Sequence, residues 1–115
     1  MDKKVIGNAG EDLAKRYLEK NGYKILEQNL RYSRFCEIDI VAQIKDKVVF
    51  VEVKTRKNDN FGSPLEAITK TKYENIKKGI SFYIAEHKVK KYQIDVIGIT
   101  LKPELKIEHL KNIML

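Results

Sequence analysis

Val48-Val49-Phe50-Val51-Glu52-Val53-Lys54 is the most apolar stretch of the chain, and it ends in charged residues of the kind that buried strands avoid. Both alternating faces of this stretch are apolar, with Val49, Val51 and Val53 on one and Val48 and Phe50 on the other. A strand covered on both faces is typical of the centre of a sheet. Glu52 and Lys54 share the Val48 and Phe50 face, because side chains repeat every second residue. Buried charges are costly unless they are paired or bind a metal, so the stretch predicts a site that needs charge.

The preceding stretch, Glu37-Ile38-Asp39-Ile40-Val41-Ala42-Gln43-Ile44, predicts a neighbouring strand. Its apolar face would hold Ile38, Ile40, Ala42 and Ile44, and its other face Glu37 and Asp39. Only Lys45-Asp46 separates the two strands, which favours a hairpin. If Ile44 lies opposite Lys47, the register places Asp39 opposite Glu52 and Glu37 opposite Lys54.

This register would bring two carboxylates together. Directly opposed Cβ atoms lie about 4.5–5.5 Å apart, so Asp39 and Glu52 would repel each other unless a divalent cation lay between them. Lys54 has a simpler alternative, as half of a cross-strand ion pair with Glu37. The register is itself an open hypothesis, because a slip by one residue would exchange the two faces of the strand.

The composition of the whole chain is that of one globular domain spanning residues 1–115, with 43% hydrophobic and 34% charged residues. The net charge of +7 favours an anionic partner, with nucleic acid first and a membrane surface second, unless it merely reflects a lysine-rich proteome. The single cysteine, Cys36, excludes an internal disulfide and a zinc site built from cysteines. No stretch is apolar enough for a signal peptide or a membrane span, so we expect a cytoplasmic protein.

The N-terminal segment predicts a helix with two interpretations of Glu11. Asn8 followed three residues later by Glu11 resembles a capping box, and Asn21-Gly22 is a plausible helix end. Glu11 also shares a helix face with Ala14 and Leu18, so its carboxylate could instead point towards the sheet. The capping interpretation needs no function.

The other segments complete an α/β domain with the element order αβββαβ. Residues 23–32 predict the first strand, and residues 89–100 predict a strand parallel to the central one, reached by a right-handed helical crossover. Residues 105–113 predict a short edge strand. The crossover helix would begin at Ser63-Pro64-Leu65-Glu66, where Ser is a preferred N-cap and Pro a preferred first residue.

The crossover helix and the polar loop before it, residues 55–62, are rich in positive charge. The candidate phosphate contacts are Arg56, Lys70, Lys72, Lys77 and Lys78. A merely solvated face is the alternative for each of these residues.

The tripeptide pattern Glu-x-Lys is weak evidence alone, since the chain contains it three times. Only Glu52-Val53-Lys54 follows a strand that can present a second carboxylate, Asp39, at matching register. Asp on one strand and Glu-x-Lys on the next is the metal-site pattern of restriction-endonuclease-like nucleases. In that pattern two carboxylates hold Mg²⁺, which polarises a phosphodiester and lowers the pKa of a bound water. The lysine orients that water or stabilises charge on the phosphorane.

The sequence resembles the YraN-like proteins, small bacterial proteins assigned to the restriction-endonuclease-like fold and similar in motif pattern to archaeal Holliday-junction resolvases. The resemblance covers nearly the whole chain. It rests on the segments Gly7-Asn8-Ala9-Gly10-Glu11-Asp12-Leu13-Ala14, Glu37-Ile38-Asp39-Ile40-Val41, Phe50-Val51-Glu52-Val53-Lys54-Thr55-Arg56 and Ile94-Asp95-Val96-Ile97. It implies a restriction-endonuclease-like mixed sheet flanked by helices, with Glu11, Asp39, Glu52 and Lys54 at the nuclease positions. Two residues depart from the usual family pattern: Cys36 stands where glycine is usual, and Gln93 where arginine is usual.

Together these observations predict a Mg²⁺-dependent or Mn²⁺-dependent endonuclease acting on DNA, with structured or branched DNA among the candidate substrates. Asp39, Glu52 and the Val53 carbonyl are the expected metal ligands, Lys54 the catalytic lysine, and Glu11 a further ligand or water-positioning group. Two alternatives stay open: a nucleic-acid-binding module with little or no catalysis, and a basic adaptor for a protein partner. DNA is favoured over RNA, no membrane is expected, and a homodimer would suit a two-strand cut although no residue requires one.

Overall fold

The computed structural model describes residues 3–58 and 62–114, and the side chains of residues 3–6 fall outside that description. The elements are α1 (Lys3–Lys20), β1 (Lys24–Arg31), β2 (Glu37–Ile44), β3 (Lys47–Arg56), a short 3-10 helix (Pro64–Ala67), α2 (Lys70–His87), β4 (Tyr92–Thr100) and β5 (Lys106–Leu110). The strands form one five-stranded sheet in the order β1-β2-β3-β4-β5. Only β3 and β4 are parallel, and the other pairs are antiparallel. The predicted αβββαβ core with a mixed sheet flanked by helices is therefore confirmed, and the edge strand follows it.

The two helices cover opposite faces of the sheet. Ala14 and Leu18 of α1 are fully buried against one face, and β3 contributes the valines at positions 49, 51 and 53 to the same cluster. Ile76 and Ile80 of α2 pack on the other face with Phe50. The central strand β3 is thus covered on both sides, as its two apolar faces predict. Among the described residues, no helix is long and apolar enough to cross a membrane.

The first predicted helix start is wrong, and the second begins a short 3-10 helix in place of the long crossover helix. The first helix begins at Lys3, so Asn8 lies inside it and is not an N-cap, because residues 3–7 contain no residue that breaks a helix strongly. Ser63 caps only the short 3-10 helix, and its Oγ accepts from the Leu65 backbone N–H at 3.3 Å. The chain then becomes extended at Ile68, and α2 starts after Thr69, whose Oγ1 accepts from the Lys72 N–H at 3.1 Å.

The β2–β3 hairpin has the predicted register only up to a point. Ile44 pairs with Lys47 across the Lys45-Asp46 turn, and the paired residues run as far as Ile40 and Val51. Beyond that pair, β2 continues beside β1 and β3 beside β4. The central sheet therefore forks between β2 and β3 at the end where Asp39 and Glu52 lie.

The fork overturns two details of the predicted strand geometry. Glu37 does not pair with Lys54, because its carboxylate binds the Arg31 guanidinium of β1 at 2.9 Å. Ile38 does not share a face with Ile40, because Ile38 packs in the α2 cluster while Ile40 packs in the α1 cluster. The alternation of β2 breaks at Asp39, where the strand parts from β3.

Candidate metal and nucleic-acid site

The Asp39 side chain sits in the fork between β2 and β3. Its Oδ2 accepts a hydrogen bond from the Val53 backbone N–H at 2.8 Å. A carboxylate oxygen thus takes the place of a strand carbonyl, and it fixes Asp39 against β3 beyond the last paired residues. In an extended strand the N–H and C=O of one residue point to the same side. The Val53 carbonyl therefore faces the same opening as Asp39.

Glu52 lies on the α2 side of β3 and is only 4% exposed. The Lys72 ammonium from α2 is 2.6 Å from Glu52 Oε1, and the Lys54 ammonium is 3.8 Å from the same oxygen. A buried carboxylate needs such partners because desolvation without compensation is costly. Lys72, predicted as a phosphate contact, reaches into the site and pairs with Glu52, and its role towards phosphate stays a prediction.

Asp39, Glu52, Lys54 and Lys72 form a cluster of charged side chains, in which neighbouring charges shift the pKa values of Asp39, Lys54 and Lys72. Burial, and next the charge of Glu52, raises the pKa of Asp39 to about 8. Burial also lowers the pKa of Lys54, and the neighbouring Lys72 lowers it further. For Lys72, burial works against the charged form but Glu52 outweighs it, so its pKa is raised. Shifts of this kind, with specific partners in a cleft, are typical of functional sites.

Glu11 approaches the cluster from the opposite face of the sheet. Burial raises the pKa of Glu11, the charges of Glu37 and Glu52 raise it further, and a hydrogen bond with the Asn29 side chain opposes them. Asn29 has a positive φ of 50° within β1, a conformation that is uncommon outside glycine. The register of β1 and β2 places Asn29 opposite Asp39, because Gln28 pairs with Ile40 and Leu30 with Ile38. Sequence reasoning missed Asn29, since nothing in its neighbours marks it.

Gly10 explains how α1 comes close enough to present Glu11. A Cβ at Gly10 would lie 1.7 Å from Thr55 Oγ1 on β3. Only glycine allows the helix backbone to approach the strand this closely at that point. Gly10 therefore allows α1 to pack close to β3, and this close packing brings Glu11 near the cluster.

An open cleft of about 340 Å³ is lined by Asp39, Glu52 and Lys72, whereas Lys54 and Glu11 are not among its lining residues. Its lining residues are Arg34, Phe35, Glu37, Asp39, Glu52, Thr69, Thr71, Lys72, Asn75 and Ile76. Thr69, Thr71 and Asn75 were missed by sequence reasoning, although Asn75 lies one turn after Lys72 and so shares its helix face. The start of α2 thus forms one wall of the cleft, and the β1–β2 connection forms its lip.

The other predicted phosphate contacts lie outside the cleft. One Arg56 nitrogen donates to the Gly62 carbonyl, which ties together the ends of the polar loop, and residues 59–61 of that loop lie outside the described residues. Lys70 is exposed at the start of α2. Lys77 is 3.8 Å from Glu74 and lies over the Tyr73 ring. The roles of Arg56, Lys70 and Lys77 stay predictions.

The donors at the fork fit a hydrated Mg²⁺. No group of three His, Cys, Asp or Glu residues within the described parts of the chain is arranged to hold a metal ion. Mg²⁺ does not require one, because it usually keeps several waters and takes one or two carboxylates together with substrate phosphate. Asp39, Glu52 and the Val53 carbonyl supply oxygen donors of that type, and the two carboxylates repel each other without a cation.

Comparison with known proteins supplies the family. Residues 10–99 match the family model described as "Uncharacterised protein family UPF0102". The chain belongs to the UPF0102 family. A UPF0102 protein of Caldanaerobacter subterraneus subsp. tengcongensis is 44% identical over 118 residues, covering 97% of this chain and 96% of the relative. A UPF0102 protein of Syntrophomonas wolfei subsp. wolfei is 43% identical over 110 residues, covering 93% and 95%. The family resemblance inferred from the motifs is thereby confirmed.

One solved structure resembling this UPF0102 chain is that of Pyrococcus furiosus SfsA in complex with Ca²⁺. It is 16% identical, with a TM-score of 0.39, and the alignment covers 96% of this chain and 64% of that one. Similarity at this level is too low for an inference about this protein.

The last UPF0102 motif, Ile94-Asp95-Val96-Ile97, belongs to the core and not to the cleft. Asp95 is fully buried, and its carboxylate accepts from the Gln93 amide at 2.8 Å, the Asn112 N–H at 2.9 Å and His109 Nε2 at 2.7 Å. Gln93, one of the two residues that depart from the usual family pattern, thus donates a hydrogen bond to the buried Asp95 carboxylate. Cys36, the other departure, is buried and faces Gly79 of α2, where a Cβ would meet the Cys36 Cβ at 3.8 Å.

Proposed function

We propose that this protein is a divalent-metal-dependent endonuclease that hydrolyses phosphodiester bonds in DNA. The observation that carries the proposal is the convergence of Asp39, Glu52, Lys54 and Lys72 at the fork between β2 and β3. Two acidic and two basic side chains, mostly withdrawn from water, meet there, and Asp39, Glu52 and Lys72 line an open cleft. A fold needs no such cluster for stability, because buried ion pairs barely offset their own desolvation.

Each residue has a role that follows from its position. Asp39, Glu52 and the Val53 carbonyl would hold Mg²⁺ or Mn²⁺, which supplies Lewis-acid activation of the phosphate and of water when bound. Lys54 would place its ammonium on the phosphate oxygens, where negative charge grows in the transition state. Glu11, on the far side of the fork, would orient the attacking water. In the reaction a water oxygen bonds to phosphorus while the bond to the leaving sugar oxygen breaks, and the water proton is lost as the leaving oxygen gains one.

The start of α2 supports binding of a phosphate chain. Helix N-termini present backbone N–H groups and a positive dipole to anions. Thr69 and Thr71 line the cleft at this end of the helix, with Asn75 one turn further on. Exposed Lys70 and Lys77 extend the positive surface along the same helix, and the net charge of +7 favours a polyanion.

A cleavage assay on linear, flapped and four-way DNA with Mg²⁺ or Mn²⁺ tests the proposal. We expect strand cleavage that needs the divalent ion and is abolished in Asp39→Ala. Asp46→Ala is the matched control, because Asp46 is exposed in the β2–β3 turn and its partner is Lys91. DNA left intact by wild-type protein under all these conditions would refute the nuclease assignment.

A DNA-binding module without catalysis is the second candidate, and one observation favours it. The Glu52–Lys72 ion pair at 2.6 Å neutralises the buried carboxylate without any metal. In that case the protein would bind DNA with a strong salt dependence and show no divalent-dependent cleavage. A protein adaptor, the third alternative, would show neither property.

A further inference from the structure

We infer that Phe35 is a stacking platform for one unpaired base, so that the preferred substrate carries a single-stranded or displaced nucleotide beside the cut. This inference rests on the proposed function and specifies its substrate class. Phe35 is 66% exposed, although burying such a ring would have been favourable by about 1.5–3 kcal/mol. It also lines the cleft that holds Asp39 and Glu52. An aromatic ring is thus presented to solvent next to the proposed scissile phosphate.

The loop that carries Phe35 is held in a fixed shape. The Tyr32 N–H donates to the Cys36 carbonyl at 2.9 Å, and the Cys36 N–H donates to the Ser33 carbonyl at 3.3 Å. The Phe35 N–H itself donates to Ser33 Oγ at 3.2 Å. Cys36 is buried and anchors the end of the loop. The exposed ring therefore projects from a closed turn, which limits the entropy lost when a ligand binds to it.

Charge and size favour a nucleotide over an apolar protein segment. The Arg34 guanidinium lies over the Phe35 ring, 5.3 Å from its centroid, and both residues line the cleft. An aromatic ring beside a cation is the combination that binds a base and its phosphate together. A cleft of about 340 Å³ is at the small end of ligand sites, which suits a single nucleotide. Bases inside a duplex cannot reach the ring, because both of their faces are covered by their neighbours.

Equilibrium binding in EDTA separates this inference from catalysis. The probes are two DNA duplexes with 2-aminopurine at the same position, fully paired in one and unpaired at a flap junction in the other. We expect Phe35→Ala to weaken binding of the flapped probe by about ten-fold and to leave the paired probe within about two-fold, in line with the loss of one base–aromatic stack. Wild-type protein should quench the unpaired fluorophore, and Phe35→Trp should preserve both the quenching and the affinity.

Leu105→Ala is the control, because Leu105 is 52% exposed between β4 and β5 and does not line the cleft. It should leave both affinities unchanged. Equal losses of affinity for the two probes would overturn the inference, and so would an unquenched fluorophore. It would also be overturned if Phe35→Ala changed only the sedimentation of the free protein and left DNA binding unchanged. Wild-type protein that prefers and quenches the flapped probe yet cuts no DNA with Mg²⁺ or Mn²⁺ would refute the nuclease and leave the stacking site standing.

Discussion

At the scale of single residues, the site is a group of charges whose mutual spacing determines what each can do. Glu52 is surrounded by two ammonium groups, whereas Asp39 has a backbone N–H and a neighbouring carboxylate. The two acids are therefore not equivalent. Glu52 is neutralised within the protein, and Asp39 is the group that gains most from an added cation.

The raised pKa of Asp39 predicts a pH-dependent loss of stability in the metal-free protein. Because its folded-state pKa of about 8 exceeds the ordinary value of 3.8, the ionised form is disfavoured in the folded state. Wild-type stability should therefore fall as the pH rises between those values, by at most about 1.4 kcal/mol per pH unit. In Asp39→Asn this contribution is absent. Urea unfolding in EDTA across this pH range measures the difference between the two slopes.

Asp46→Asn is the control for that titration. Its hydrogen bond with Lys91 lowers the pKa of Asp46, so the variant has no ionisation penalty to relieve at high pH. Identical pH profiles for wild type and Asp39→Asn would contradict the placement of Asp39 in a desolvated site.

A comparison of Lys54→Met with Glu37→Gln tests the catalytic lysine. Glu37 pairs with Arg31, so the cross-strand pair that could have explained Lys54 structurally is not formed. We expect Lys54→Met to abolish cleavage while DNA affinity stays within a few-fold, because a positioned charge acts mainly on the transition state. Glu37→Gln should cut DNA at a rate close to wild type, since the ion pair that it loses, with Arg31, is exposed and worth about 0–1 kcal/mol. Single-turnover cleavage and binding, measured separately, distinguish the roles; cleavage by Lys54→Met at the wild-type rate would remove the lysine from the mechanism.

At the scale of elements, α2 divides its positive residues between two tasks. Lys72 points into the cleft, where it binds Glu52, while Lys70 and Lys77 are exposed. The helix therefore contributes one side chain to the site, and under the proposed function its exposed lysines would contact the DNA backbone. The element that makes this possible is the extended break at Ile68, which delays the start of α2 until it faces the fork.

Replacing Lys70 and Lys77 together by Gln should weaken DNA binding without changing the metal dependence of cleavage. Each lost phosphate contact reduces the slope of log affinity against log salt by about one. Lys20→Gln with Lys24→Gln removes the same charge at the other end of the sheet, where Lys24 pairs with Gln43. The measurement is the salt dependence of DNA binding for the two double variants. Equal slopes would mean that the exposed lysines of α2 are merely solvated and do not contact DNA.

At the scale of the whole molecule, the sheet is closed firmly at one edge and opened at its centre. The buried Asp95 network joins β4 to His109 of β5, and the Tyr17 hydroxyl of α1 lies 3.0 Å from His109 Nδ1. Opposed to this closed edge is the fork between β2 and β3, where α1, α2 and three strands approach one another. The Val53 N–H holds the Asp39 carboxylate and Lys72 holds that of Glu52, and such fixed positions suit the proposed metal site.

Divalent cations should therefore stabilise the entire fold. An ion that binds only the folded state raises the unfolding free energy, by about 2.7 kcal/mol at a concentration one hundred times its Kd. We expect Mg²⁺ or Mn²⁺ to raise the melting temperature of wild type and to have a much smaller effect on Glu52→Gln. Asp12→Asn, an exposed acidic residue of α1, should respond like wild type. A wild-type melting temperature unaffected by millimolar divalent ions would eliminate the metal site.

The sequence by itself determined the order of elements, the buried central strand and the turn at Lys45-Asp46. These features depend on local periodicity, since apolar alternation and turn residues act over a few neighbours. It also predicted that Asp39, Glu52 and Lys54 would share one region. Their roles in metal binding and catalysis were inferred from the Asp and Glu-x-Lys motif and from the family resemblance. These roles remain predictions that the assays above test.

Only the tertiary structure decided the form of the site. The fork at Asp39, the approach of Lys72 from α2 and the position of Asn29 opposite Asp39 all depend on contacts between separate elements. The pairing of Glu37 with Arg31 was also missed, because it depends on the register of β1 against β2. Local patterns carry no information on which of two distant charges comes closer. The packing of the helices on the sheet determines which charges meet. In this protein the decisive contacts are those of α1 at Gly10 and of α2 at Lys72.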